Sequence, residues 1–227
     1  MQPYLFPYVG YFQLISSADV FVVYDNIQYT KKGWVNRNRI LVNGSDAYIT
    51  APLRKDSDYL DIRDRELSAE FDRRALLNRL RGAYLRAPHF SETMEVVAGI
   101  VDHNEDNLFG YLEHSIRALC DHLAIGTRIV RSSELAADHT LRGQARVIDI
   151  CRSLGADAYV NAVGGRDLYS HDEFRAAGLE LSFIESAPLV YDQFGAEFVP
   201  WLSIIDVLMF NDLDTVRAVV AEGYVLT

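Results

Sequence analysis

Residues 19–25 read DVFVVYD. Five apolar residues, three of them valine, stand between two aspartates. The run is too short for a helix and too β-branched to favour one. A stretch with no polar face is buried on both sides, which is how a strand in a parallel sheet reads. Similar segments recur at 127–131 (TRIVR), 157–162 (DAYVNA) and 179–184 (LELSFI). Helix-period patterns stand between and around them. In 8–15 the spaced residues are Tyr8, Tyr11, Phe12 and Ile15. The others are 105–124, 142–154, 171–177 (stopped by Gly178), 200–210 and 213–222. Strand alternating with helix predicts an α/β fold, with a mostly parallel Rossmann-like sheet and helices on both faces.

The middle of the chain breaks this alternation. Residues 40–53 hold two strand-like runs around Asn43-Gly44, a strong hairpin signal. A third strand is predicted at 60–67, then helices at 69–86 and 91–103, parted by Pro88. The expectation is one α/β domain, 1–227, carrying an inserted β-hairpin and helical subregion at about 36–104.

Composition narrows the function. With 22 Lys+Arg against 32 Asp+Glu, the net charge is −10. Nucleic acid, which needs a basic face, is not an expected partner. No apolar run reaches the length of a membrane span, and no signal-peptide pattern opens the chain. Cys120 and Cys151 cannot form a disulfide scaffold or a thiolate metal cage. Lying among apolar helical residues, they read as buried, reduced thiols, which fits a cytoplasmic protein. The six histidines form no metal-ligating pair and no Ser-centred nucleophile elbow exists, so neither a metal site nor a hydrolase triad is expected. The chain opens Met1-Gln2-Pro3 into a loop. Either the fold needs no strand there, or Met1 is an internal residue.

Ligands of open parallel sheets bind beyond the carboxyl ends of the strands. Three such ends carry dense polar groups. After DVFVVYD come Asp25, Asn26, Gln28, Lys31 and Lys32, then Asn36 and Arg37. After TRIVR come Arg131, Ser132 and Ser133. After DAYVNA come Gly164, Gly165, Arg166 and Asp167. Parallel strands would bring all three to one edge. The opening QPYLFPYVGY is expected at the same edge, with Pro7 in the first helical position, Phe6 as a non-capping N-cap, and Gly10 allowing close approach of a ligand. Tyr4, Tyr8 and Tyr11 read equally as core or as cleft residues. Gly164-Gly165 reads as a tight turn in preference to a phosphate cradle. Asp206, inside WLSIIDVLMF with Ser203 three residues before it, reads as a structural pair in preference to a cleft pair.

The stretch QPYLFPYVGYFQLISSADVFVVYDNIQYTKKGWVNRNRI resembles the opening of the WbqC-like protein family. The likeness continues through APHF (87–90), RSSEL (131–135), IDICRSLGADAYVNAVGGRDL and LSIIDVLMF. It implies a short apolar strand ending near Met1. It also implies a cytoplasmic bacterial protein associated with O-antigen and other surface polysaccharides, with glycine transfer to an amino sugar suggested for some members. The family motif positions are Gln2, Pro3, Pro7, Gly10, Tyr11, Asp25, Gln28, Lys32, Trp34, Asn36, Arg37, Arg131, Ser132, Ser133, Gly164, Asp167 and Asp206.

The leading expectation is an amide-forming acyl or aminoacyl transferase acting on an amino sugar, nucleotide-linked in one version. Asp25 would be the base, and Lys32, Arg37 and Arg131 would hold anionic groups. Ser132, Ser133 and the amides after Pro7 would supply oxyanion or phosphate donors. Gln2, Tyr4, Tyr8, Gly10, Tyr11, Gln28, Trp34, Asn36, Gly164, Gly165, Asp167 and Asp206 would bind substrate. No cofactor is assigned. The alternatives are an ATP-dependent, nucleotidylyl-transferase-like activating enzyme, which the lack of histidines in the opening motif opposes, and a non-catalytic binding module.

Overall fold

The computed structural model describes residues 1–195 and 197–227. The elements run α1 (Val9–Ser16), β1 (Val20–Val23), β2 (Arg37–Val42), β3 (Ser45–Thr50), α2 (Arg73–Tyr84), α3 (Phe90–Val101) and α4 (Leu108–His122). There follow β4 (Arg128–Arg131), α5 (Gly143–Leu154), β5 (Ala158–Ala162), α6 (His171–Ala176), β6 (Glu180–Ser186), α7 (Ile204–Phe210), α8 (Leu213–Glu222) and β7 (Tyr224–Leu226). Several helices begin at a residue whose side chain accepts from the first turn. Asp72, Asn107, Ser170, Ser203 and Asp212 do so for α2, α4, α6, α7 and α8.

The chain is mixed α/β, but the strands among the described residues form three small sheets. β1 pairs with β4 in parallel, β2 with β3 as the Asn43-Gly44 hairpin, and β5, β6 and β7 form a mixed sheet. The continuous sheet expected from sequence is therefore divided between β1 and β5. A gap of about 370 Å³ lies there, lined by β1, α5 and β5. Besides β4, Met1 bonds to this strand: its amine donates to the Val22 carbonyl, and its carbonyl accepts from the Tyr24 amide. Successive side chains point to opposite faces, so Phe21 and Val23 are buried while Val20 and Val22, on the other face, are half-buried.

Two further expectations are corrected and one strand is added. Helix α1 starts at Val9 with Tyr8 as N-cap, two residues later than Pro7 and Phe6 would place it. Phe6 has φ +43, and its carbonyl is clamped by Asn38 Nδ2 at 2.8 Å and Ser203 Oγ at 2.8 Å. A bulky non-glycine residue adopts positive φ only when its surroundings impose it, so these tertiary clamps set the start. No third strand forms at 60–67. Ile62–Asp64 is a 3₁₀ turn, and the amides of this region bond to the loop after β1: Ile62 to the Ile27 carbonyl and Arg63 to that of Asp25. Strand β7, antiparallel to β6, was not predicted, since three residues are too few to show a period.

The main core gathers Phe12 and Ile15 from α1, Ile40 and Ile49 from the hairpin, and Leu80, Val97, Leu112, Ile205 and Val216 from the helices. The subregion predicted at 36–104 thus contributes to the same core as α1. A smaller core joins Val147 and Cys151 of α5 to Phe174, Leu181 and Phe183. Both cysteines are buried, and burial pushes the thiols up, Cys120 to about 12 and Cys151 to about 11. Among the described residues, no helix is long and apolar enough to cross a membrane.

Candidate functional site

Parallel pairing of Val23 with Arg131 brings the polar tails of β1 and β4 together. The Asp25 carboxylate, only 3% exposed, accepts from the Ser133 amide at 2.9 Å, from Ser132 Oγ at 2.8 Å and from Ser133 Oγ. Burial pushes this carboxyl up, but the hydrogen bonds from Ser133 and Ser132 outweigh it and hold Asp25 below its ordinary value. Ser132 Oγ also lies 2.6 Å from Asn26 Oδ1, which the Arg146 guanidinium grips as well. A carboxylate so fully satisfied is a weak proton acceptor. Its geometry locks the loop after β1 to the end of β4.

The predicted cations lie elsewhere. Arg131 makes a close ion pair with buried Glu113, at 2.7 Å, and Arg117 shares that carboxylate. Arg37 donates to the carbonyls of Gly33 and Lys32, closing the turn in which Lys32 has φ +64. Lys32 is exposed, without an ion-pair partner among the described residues. Asn36 accepts from the Tyr29 hydroxyl and donates to the Ala51 carbonyl. The carbonyl of Gln2 accepts from the Tyr11 hydroxyl at 2.9 Å. Gly164, Gly165 and Asp167 lie on the 3₁₀ segment Val163–Leu168 after β5. No hydrogen bond joins them to the Asp25 cluster. Asp206 is wholly buried, accepting from Tyr84, Tyr191 and Gln193, each at 2.7 Å, and lines no cavity described here. Burial raises its carboxyl above the ordinary value, the three hydrogen bonds opposing.

The opening segment does build a cleft. Tyr4, Tyr8, Gly10, Tyr11 and Trp34 line a cavity of about 440 Å³, together with Arg39, Val163, Glu185, Ser186 and Trp201. Tyr8 packs on Trp201 with centroids 5.2 Å apart, and Trp34 stacks on Tyr48 under the Arg39 guanidinium. Trp34 is 39% exposed and Trp201 61%. They are the two tryptophans of the chain. Gly10 is required for close packing, since a Cβ there would come 2.8 Å from Ser186 Oγ. Glu185 is exposed on this wall, with no ion-pair partner among the described residues. A second cavity of about 490 Å³ holds Gln28 with Tyr24, Tyr59, Asp61, Arg142, Gly143, Arg146 and Tyr169.

Sequence reasoning missed Trp201, Glu185, Arg39, Arg142 and Arg146. One signal was there to be read: Arg146 shares a helical face with Ile150 and sits beside Val147, a charge on the buried side of α5. Glu185 and Trp201 are brought to the cleft by tertiary structure alone.

Fold and cleft together define an α/β protein with an aromatic, ligand-sized cleft beside its strand ends. The chain belongs to the WbqC-like protein family, whose model matches residues 2–218. It is also 31% identical over 210 residues to an uncharacterised protein of Mycobacterium tuberculosis, covering 90% of this chain and 89% of that one. No solved structure matches the chain significantly.

Proposed function

We propose that the protein is a transferase that joins an acyl or aminoacyl group to the amine of an amino sugar in bacterial surface-polysaccharide synthesis, working in the aromatic cleft. The observation that carries this reading is the pair of exposed tryptophans flanking a cavity whose wall carries Glu185, a carboxylate without an ion-pair partner among the described residues. Sugar rings present C–H faces that stack on aromatic rings. The attacking amine must lose a proton as its nitrogen bonds to the acyl carbon and the donor's leaving group departs. Glu185 is the group placed to accept that proton. Asp25, the base expected from sequence, instead positions the loop leading to Trp34. Family membership supports the polysaccharide setting.

The two tryptophans make the test direct, because all intrinsic tryptophan emission arises at the cleft. Titration with a nucleotide-linked amino sugar should give a saturable change in emission. Glu185→Gln should leave that change intact and abolish amide product, read by mass spectrometry with thioester donors and with glycine plus ATP. No change in emission at millimolar sugar, or undiminished product from Glu185→Gln, overturns the assignment.

A further inference from the structure

The second cavity shares no lining residue with the aromatic cleft. Helix α5 begins at its wall without a cap. Arg142, in the N-cap position, offers no side-chain acceptor, and the first turn holds no acidic residue. The amides of Gly143, Gln144 and Ala145 have no partner among the described residues. Gly143 has φ +52, and there is open space where its Cβ would stand.

One turn further along, Arg146 lines the same cavity and is 4% exposed. Its terminal nitrogens donate to the Asn26 carbonyl and Oδ1, its Nε has no partner, and no carboxylate lies within ion-pair distance among the described residues. In a chain of net charge −10, this is a buried cation lacking a counter-charge. The guanidinium also lies 5.0 Å from the centroid of the Tyr24 ring, so what it lacks is an anion, and one at the cavity wall would supply it. Arg142, exposed at the rim, adds a second guanidinium, and the helix dipole adds its positive end.

We propose that this cavity binds the phosphoryl group of a phosphate monoester whose body carries hydroxyls. The phosphoryl oxygens take the free amides of α5 and the two guanidinium groups. Asp61, the carboxylate on the lining, would repel a bare anion and accepts a hydroxyl from the ligand body. Tyr24, Tyr59 and Tyr169 supply apolar walls. The site stands apart from the transfer chemistry and does not depend on it.

Calorimetric titration of the whole protein tests this with glucose 1-phosphate, inorganic phosphate and unphosphorylated glucose. Glucose 1-phosphate should bind tightest, inorganic phosphate more weakly, and glucose not at all. Arg142→Glu, a change at an exposed residue, should weaken glucose 1-phosphate by at least about tenfold, the loss of one charge-assisted contact. Arg146→Gln should do the same, with folding checked by circular dichroism. Absence of binding by both phosphate compounds at millimolar concentration overturns the proposal. So does equal affinity of the wild type and Arg142→Glu.

Discussion

Two buried aspartates, each with three donors, sit in different parts of this molecule and are held in opposite directions. Asp25 joins the ends of β1 and β4 and lies below its ordinary value; Asp206 sits in the first turn of α7 and lies above. Asp25 retains a trace of exposure and takes a backbone amide and two serine hydroxyls. Asp206 is sealed under two tyrosines and a glutamine. A similar number of hydrogen bonds therefore does not fix the sign; depth of burial against donor strength does. Neither carboxylate is free to act on a ligand, so a buried aspartate in an apolar run is a weak pointer to a site.

Breaking each cluster should show the difference. Asp206→Ala strands three donors in a dry core and should cost about 4 kcal/mol in urea unfolding. A loss below half of that would mean that water reaches the pocket. Asp25→Ala should cost about 2 kcal/mol, because water can reach part of that site. Tyr84→Phe removes one donor from Asp206 and an acceptor from the Leu41 amide, and should cost about 1.5 kcal/mol. The order of these three losses, measured by the same denaturant series, is itself the check on the comparison.

The smallest effect is in pH dependence, and it differs in sign. Asp25, held below the ordinary value of 3.8, adds stability that is present above that pH and lost as pH falls through its folded value. Asp206, held above 3.8, binds its proton more tightly when folded, so its contribution weakens as pH rises from 3.8 through the folded value. Relative to Asp206→Asn, the wild type should gain stability on acidification from neutral toward pH 4. Relative to Asp25→Asn, it should lose stability below pH 4. Parallel profiles for the two variants would contradict the opposite shifts.

Much of the fold was legible because the signals are local. DVFVVYD, TRIVR and DAYVNA carry their strand character in composition, and Asn43-Gly44 fixes the hairpin by turn chemistry. What misled were positions decided at a distance. Pro7 is a good first helical residue, yet Asn38 and Ser203 clamp Phe6 into a left-handed conformation and delay the helix. The segment 60–67 has strand-like composition, yet its amides are taken by the loop after β1. The site divides in the same way. The aromatic residues of the opening segment could be nominated from spacing, whereas Trp201 and Glu185 reach the cleft only through the fold. Arg131 was nominated as a free cation because its partner Glu113 stands eighteen residues away on α4.

The bonds from 60–63 back to 25–29 also bear on modularity. The Tyr29 amide bonds the Leu60 carbonyl, and Ile62 and Arg63 return bonds to Ile27 and Asp25. The Asn38 side chain likewise donates to the carbonyls of Leu5 and Phe6. A shortened chain lacking 36–104 would keep every strand of the parallel pairs but lose the ties that shape the loop after β1. The interposed segment is thus not a cassette that can be swapped between relatives; its exchange would have to carry the loop residues with it.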